Sequence, residues 1–327
     1  MSLLRFVIQN TMITVITMYR KEILAALILC SVGFGGMVLF SSSSLPLEKK
    51  GLAAVEEAII LPDDPFDDLL LEARAAYVLD SVKNEVFYAK NEEAQLPLAS
   101  LTKLMTAFTA SLVLPSDATV IISEEAIATE GDSGLVSGDP WGVFDLIGFT
   151  LIVSSNDGAA AIGNAAGAGG SADSDDFLKN KERFVGMMNE KAKELGLSQT
   201  YFTNETGLDA HEYASGSYGS AHDVTRLMDH ILKTAPSLLM PTQYAEYTFY
   251  SKNLVYTSKN TNSALPGIPA LLGSKTGFTN LAGGNLVVAY DAGIGHPIII
   301  TVLGSTEQGR FRDVIKLVEA SLLKVAQ

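Results

Sequence analysis

Two hydrophobic periods, set in a fixed order along the chain, constrain its fold more than any single residue does. Residues 75–80 and 85–89 read as strands with a turn at Lys83-Asn84, and residues 285–290 and 297–303 read as a second hairpin across 291–296. Between these ends the period becomes helical. Residues 100–114 put Leu101, Leu104, Met105 and Phe108 on one face, an Ala-rich stretch runs on to Ala166, and residues 177–195 and 222–233 repeat the helical spacing. Gly196 stands where a C-terminal cap belongs. Residues 120–123 read as a short strand, residues 144–153 as an apolar segment and residues 308–324 as a last helix. The order predicts an α/β (α+β) chain whose sheet comes from its two ends, with a helical region inserted between them.

The segment A-S-L-T-K-L-M-T, residues 99–106, opens the first of those helices. Ser100 and Lys103 are three apart, so they lie one above the other on one helical face. A hydroxyl and an amine so placed make a nucleophile with its own base, provided the amine is neutral. The partial positive charge of a helix N-terminus disfavours the ammonium and favours an oxyanion.

Composition removes several other functions. The 327 residues are 47% hydrophobic, enough for a real core in one large domain or two modest ones. A net charge of −14 argues against nucleic acid as a partner and reads as a solubilising acidic surface. The single cysteine, Cys30, excludes an intrachain disulfide and a cysteine-based metal site. His211, His222, His230 and His296 lack metal-ligand spacing, and there is no Gly-rich phosphate loop, so neither metal nor cofactor is expected.

The N-terminal part has its own character. Residues 23–40 carry no charge over a length that can cross a membrane, behind Arg5, Arg20 and Lys21. This predicts a single-pass transmembrane anchor with residues 1–22 in the cytoplasm and the rest exported. No A-x-A site follows, which favours an anchor over a cleaved signal peptide. Residues 41–71, serine-rich and then acidic around Asp63, Asp64, Asp67 and Asp68, read as a tether, a solvated charge run rather than a calcium site. The folded domain is expected over residues 72–327.

Single motifs say little here. S-x-x-K recurs at Ser321–Lys324, and S-x-N occurs at Ser154–Asn156, Ser251–Asn253 and Ser258–Asn260. Order and spacing carry the information: Ser100/Lys103, then Ser154/Asn156 about fifty residues on, then Lys275-Thr276-Gly277 about 120 further. That trio is the known signature of penicillin-recognising serine enzymes. With S-S-N-D-G-A-A, F-x-N-x-x-G-L from Phe202 to Leu208, and K-T-G-F-T-N-x-A-G-G-N, the chain from about Glu72 onward resembles the low-molecular-mass D-alanyl-D-alanine carboxypeptidases of peptidase family S11.

The resemblance implies a penicillin-binding protein/β-lactamase-like transpeptidase fold: a mainly antiparallel five-stranded sheet flanked by helices, with an inserted helical subdomain. It implies hydrolysis of the terminal D-Ala of peptidoglycan pentapeptide (D-Ala-D-Ala) in a bacterial wall, and β-lactams as covalent inhibitors. By the same resemblance and chemistry, Ser100 attacks the penultimate carbonyl and Lys103, depressed by burial and by neighbouring Lys275, is the base. Ser154 relays a proton to the leaving nitrogen and Asn156 holds the substrate amide. Lys275, Thr276 and Arg310 bind the terminal carboxylate, Gly277 permits close approach, and the backbone N–H groups of Ser100 and Phe278 form the oxyanion hole. An exposed helix-start arginine is the plainer alternative for Arg310. Asp157, Asn204, Asp209 and Asp223 read as turn or cap residues and Trp141 as core or groove wall.

Three departures from the family pattern stand out. Many members add a β-rich domain and a C-terminal amphipathic anchor; neither follows here, so the N-terminal segment is expected to anchor. The loop at residues 167–176 is long, and the middle motif is S-S-N, with no role assigned to Ser155. The rivals are a D,D-endopeptidase with the same residues, a β-lactamase, which would need an E-x-x-L-N absent between Asn156 and Lys275, and a non-catalytic wall-binding sensor.

Overall fold

A computed structural model describes residues 64–169 and 176–327 of the chain. The expected anchor at residues 23–40 and its cytoplasmic flank lie outside the described residues. Among the described residues no helix is long and apolar enough to cross a membrane.

The first strand, β1 (Ala75–Asp80), is buried along its whole length, as its almost unbroken apolar sequence requires of a strand covered on both faces. β2 (Glu85–Lys90) pairs with one of its edges. Near the other end of the chain come β3 (Leu271–Thr279), β4 (Gly283–Asp291) and β5 (Pro297–Ser305), and β5 closes on the free edge of β1. The order is β3-β4-β5-β1-β2 and every pairing is antiparallel. This is the sheet that the two ends of the sequence predicted.

Alternation along the strands sends side chains to two separate cores. Tyr77, Leu79, Val287, Ala289 and Ile299 meet the helical region, whereas Ala76, Val78, Val288, Ile298 and Ile300 meet the C-terminal helix. The helical region contains α1 (Thr102–Val113), α2 (Val143–Val153), α3 (Asn156–Gly167), α4 (Phe177–Glu194) and α5 (Ala221–Thr234). On α5 the residues Val224, Leu227, Met228 and Ile231 form one apolar stripe against the sheet. Burying four such side chains stabilises by roughly 6–12 kcal/mol as an upper estimate. The opposite face is covered by α6 (Gly309–Ala326) through Phe311, Val314, Leu317 and Val318. α2 is apolar on nearly all sides because it runs through the interior.

Some boundaries differ from the sequence reading. Phe66 is only 5% exposed and stacks on Tyr88, with ring centroids 5.6 Å apart. The packed structure therefore begins by Asp64 and not at Glu72; one buried ring outweighs the acidic residues around it. The strand expected at 120–123 is Thr119–Ile121, paired with Pro140–Gly142. A hairpin of Glu246–Tyr250 and Val255–Lys259 was not expected. Within it only Phe249 and Ser258 are buried, so it lacks the alternation that marks a strand.

Candidate active site

The chain turns sharply just before α1. Ala99 adopts φ +50°, a left-handed conformation that costs a non-glycine residue on the order of 1–3 kcal/mol. Packing sustains it: Ala99 is fully buried and its carbonyl accepts from Thr102 Oγ1 at 2.7 Å. Gly207 backs onto the same carbonyl, where a Cβ would fall 2.0 Å from the oxygen. Ser100 thus sits in a 3-10 turn, Ala99–Leu101, that leads into α1.

Lys103 lies one turn later with no exposed surface. Its Nζ is 2.8 Å from Ser100 Oγ, 2.6 Å from Asn156 Oδ1 and 2.7 Å from the Thr206 carbonyl. Burial lowers its pKa to about 7, against the opposing pull of Glu205 and Asp157. The sequence reading gave Lys275 a share in depressing Lys103. The repulsion between these two buried lysines acts at Lys275 as well, which is held well below the usual lysine range by burial, by Lys103 and then by Arg310.

The second motif lies at the junction of two helices. α2 ends at Ser154 with φ +64°, which turns its side chain back so that Oγ accepts from Lys275 Nζ at 2.8 Å. Ser155 is the N-cap of α3: its Oγ accepts from the Gly158 amide at 2.7 Å and its hydroxyl donates to Asp157. This is the role that sequence left open for the extra hydroxyl. Asn156 then opens α3 with Oδ1 toward Lys103 and Nδ2 donating to the Glu130 carbonyl at 2.8 Å.

The third motif is on β3, an edge strand of the sheet. A Cβ on Gly277 would lie 2.9 Å from the Leu98 carbonyl oxygen and 3.1 Å from the Ser100 nitrogen, so only glycine lets this strand lie so close to the turn that carries Ser100. Thr276 Oγ1 is 2.6 Å from Thr261 Oγ1. Phe278 is exposed, beside a cleft of about 390 Å³ lined by Glu130, Leu208, Asp209, His211 and Leu281. Arg310 is 8% exposed, so it is no surface arginine; its Nη1 donates to the Gly277 carbonyl at 2.6 Å and its guanidinium lies 4.7 Å from the Phe311 ring centre.

All nine residues picked from sequence therefore belong to one neighbourhood linked by these contacts. The duplicate motifs do not: Ser321 is buried against the Tyr290 hydroxyl at 2.6 Å, Ser251 and Asn253 form a hairpin turn, and Asn260 Nδ2 holds two backbone carbonyls. Asn204 is the turn residue expected, its Oδ1 accepting from Thr206 N, Thr206 Oγ1 and Gly207 N. Trp141 is core. Sequence reasoning missed Thr206, which acts through its backbone, and Glu205 beside it. Their only signal is a place inside F-x-N-x-x-G-L.

Elsewhere, Glu93, His222 and Asp223 bring potential ligand atoms within 4.8 Å of one another at the start of α5. The positive end of that helix disfavours a cation there, and the Gln199 amide already donates to Asp223 at 2.8 Å.

The antiparallel sheet, the helical insertion and three serine and lysine motifs on adjoining elements define the fold of the penicillin-binding D,D-peptidases. The chain belongs to peptidase family S11, D-alanyl-D-alanine carboxypeptidase, whose profile it matches over residues 64–307. It is 30% identical over 260 residues to the D-alanyl-D-alanine carboxypeptidase DacF of Bacillus subtilis, covering 77% of this chain and 62% of that protein. A D-alanyl-D-alanine endopeptidase of Pseudomonas aeruginosa is 29% identical, with 67% of each chain covered. The ampicillin-bound penicillin-binding protein D2 of Listeria monocytogenes superposes with a TM-score of 0.62 at 30% identity, covering 77% of this chain and 98% of that one. The match spans about three fifths of the length of the first carboxypeptidase relatives.

Proposed function

We propose that the chain is a serine D-alanyl-D-alanine carboxypeptidase that removes the terminal D-Ala of peptidoglycan stem peptides through an ester on Ser100. The observation that carries this reading is the surroundings of Lys103. Asn156 Oδ1 and the Thr206 carbonyl can only accept, so they take the two hydrogens of the neutral amine. Its lone pair is left for the Ser100 hydroxyl at 2.8 Å. A base with a pKa of about 7 is half neutral at pH 7 and takes the Ser100 proton as the oxygen attacks the penultimate D-Ala carbonyl.

The remaining roles follow from position. An extended peptide adds to the open edge of β3, as strands do, and the backbone N–H groups of Ser100 and Phe278 stabilise the oxyanion by ~3 kcal/mol each. Asn156 Nδ2 has one hydrogen on Glu130 and one left for a substrate carbonyl. Ser154, held by Lys275, relays to the departing D-Ala nitrogen the proton that Lys103 took from Ser100, which returns Lys103 to its neutral form. Lys275, Thr276 and Arg310 bind the carboxylate. Water then cleaves the Ser100 ester with Lys103 as base, and β-lactams acylate the same serine. The uncharged run at residues 23–40 behind Arg20 and Lys21 supports a bacterial cell-membrane anchor with the catalytic domain outside the cytoplasm.

The endopeptidase relative favours one second reading, cleavage of D-Ala in cross-links by the same residues. Release of free D-Ala from a diacetyl-Lys-D-Ala-D-Ala peptide, lost in Ser100→Ala, supports the carboxypeptidase. Cleavage of cross-linked dimers alone supports the endopeptidase.

A further inference from the structure

Glu205 is a fully buried carboxylate that the proposed chemistry does not use. It lies between Asn204, which knots the loop, and Thr206, whose carbonyl faces Lys103. Three ties hold it. Its own carbonyl accepts from Thr106 Oγ1 at 2.6 Å, on α1 three residues beyond Lys103. Its methylenes fill the space beside Gly163 of α3, where a Cβ would fall 3.0 Å from Cγ. Its carboxylate is 2.7 Å from Nζ of Lys181 on α4. Neither carboxylate oxygen accepts a well-directed hydrogen bond among the described residues. A buried carboxylate without such bonds is costly to keep charged unless cations offset it, and the nearby ones are Lys181 and Lys103.

We propose that Glu205 and Lys181 form a positioning pair for the catalytic lysine, in which Lys181 neutralises Glu205 so that Lys103 is not taken as its counter-ion. The inference rests on the acyl-transfer reading of the site. Without exposed surface Glu205 does not touch substrate, so it acts through Lys103. The charges facing Lys103 are Glu205 from the loop, Asp157 from α3 and Lys275 from β3, with Arg310 of α6 acting on Lys275. Both carboxylates raise the pKa of Lys103 against its burial. Lys181, on α4, is only partly buried, so the helical subdomain connects the base to the surface.

The test is the rate of covalent labelling of the full chain by a fluorescent penicillin between pH 5 and 9. Wild type, Glu205→Gln, Lys181→Met and the double variant are compared. Glu205→Gln lets Lys103 shed its proton more easily, so the acid limb moves to lower pH by about one unit, a tenfold gain in rate on that limb. Lys181→Met leaves Lys103 as the remaining cation for Glu205, so the limb moves to higher pH by a similar amount. The double variant matches Glu205→Gln, because Lys181 acts through Glu205. Limbs that stay in place, or move the same way in both single variants while thermal melts show folded protein, overturn the proposal. Should Glu205→Gln not fold, the sign of the Lys181→Met shift decides alone. A wild-type chain that is not labelled at any pH, or is labelled equally after Ser100→Ala, defeats the acyl-transfer reading itself.

Discussion

Gly277→Ala places one methyl group where the account has least room. The new Cβ meets the Leu98 carbonyl oxygen at 2.9 Å, the Ser100 nitrogen at 3.1 Å and the Ala99 Cβ at 3.2 Å. Two of these neighbours are backbone of the strained nucleophile turn, so relief requires β3 and the turn to part by a few tenths of an ångström. Overpacking of this kind costs about 1–3 kcal/mol. In a domain this large that lowers Tm by roughly 2–10 °C, which leaves the protein folded at assay temperature. The catalytic effect is larger, since the same shift widens the gap between the Ser100 and Phe278 amides that receive the oxyanion. Misplacement approaching 1 Å costs about 10²-fold, so the acylation rate with a fluorescent penicillin falls roughly 10- to 100-fold. Stopped-flow labelling with a thermal melt alongside checks both numbers. An unchanged acylation rate in a folded variant would refute the close approach of β3 to the nucleophile.

Two further outcomes follow from ionisation. With Lys103 at about 7 and active only when neutral, the acylation rate of wild type falls about tenfold per pH unit below that point; a flat rate from pH 5 to 8 contradicts a lysine base. Burial pushes the Asp80 carboxyl up, but donors from the Lys83 amide, His296 and the Val82 amide outweigh it and hold the group below the usual range. Its contribution to stability is therefore complete above the unfolded carboxylate pKa and is lost as pH falls through the lower folded value. Asp80→Asn costs about 1–3 kcal/mol in urea unfolding at pH 7, and the gap to wild type closes on acidification; a gap that grows reverses the sign of the argument.

Much of the fold was legible because the chain separates its two periods. β1 and the β4–β5 hairpin are apolar strands at opposite ends, and the central sheet is where they meet. The proposed site was legible as three motifs in order, because the nucleophile, base and carboxylate-binding strand assigned to it each need a particular residue type. What sequence hid was backbone and burial. Thr206 contributes a carbonyl, which any residue carries. Glu205 looks like a surface glutamate until the helices close over it. Ser155 has a hydroxyl next to that of Ser154, and only its place at the start of α3 makes it a cap. Phe66 is a single ring among aspartates, and the 246–259 hairpin buries only Phe249 and Ser258 of its two strands, so neither disturbs a pattern read over many residues. The burial of Lys103 beside Lys275 follows from the motifs, but the opposing pull of Glu205 and Asp157 on Lys103 is something no spacing reveals.

The central claim is that Ser100, deprotonated by Lys103, is acylated by a D-Ala-D-Ala peptide and then released by water. The most direct measurement is free D-Ala produced from diacetyl-Lys-D-Ala-D-Ala by the purified chain, beside Ser100→Ala. The account predicts catalytic release that disappears in the variant, with fluorescent penicillin labelling of wild type alone. Release that survives Ser100→Ala, or Ser100-dependent labelling with no turnover of any D-Ala peptide, would contradict it.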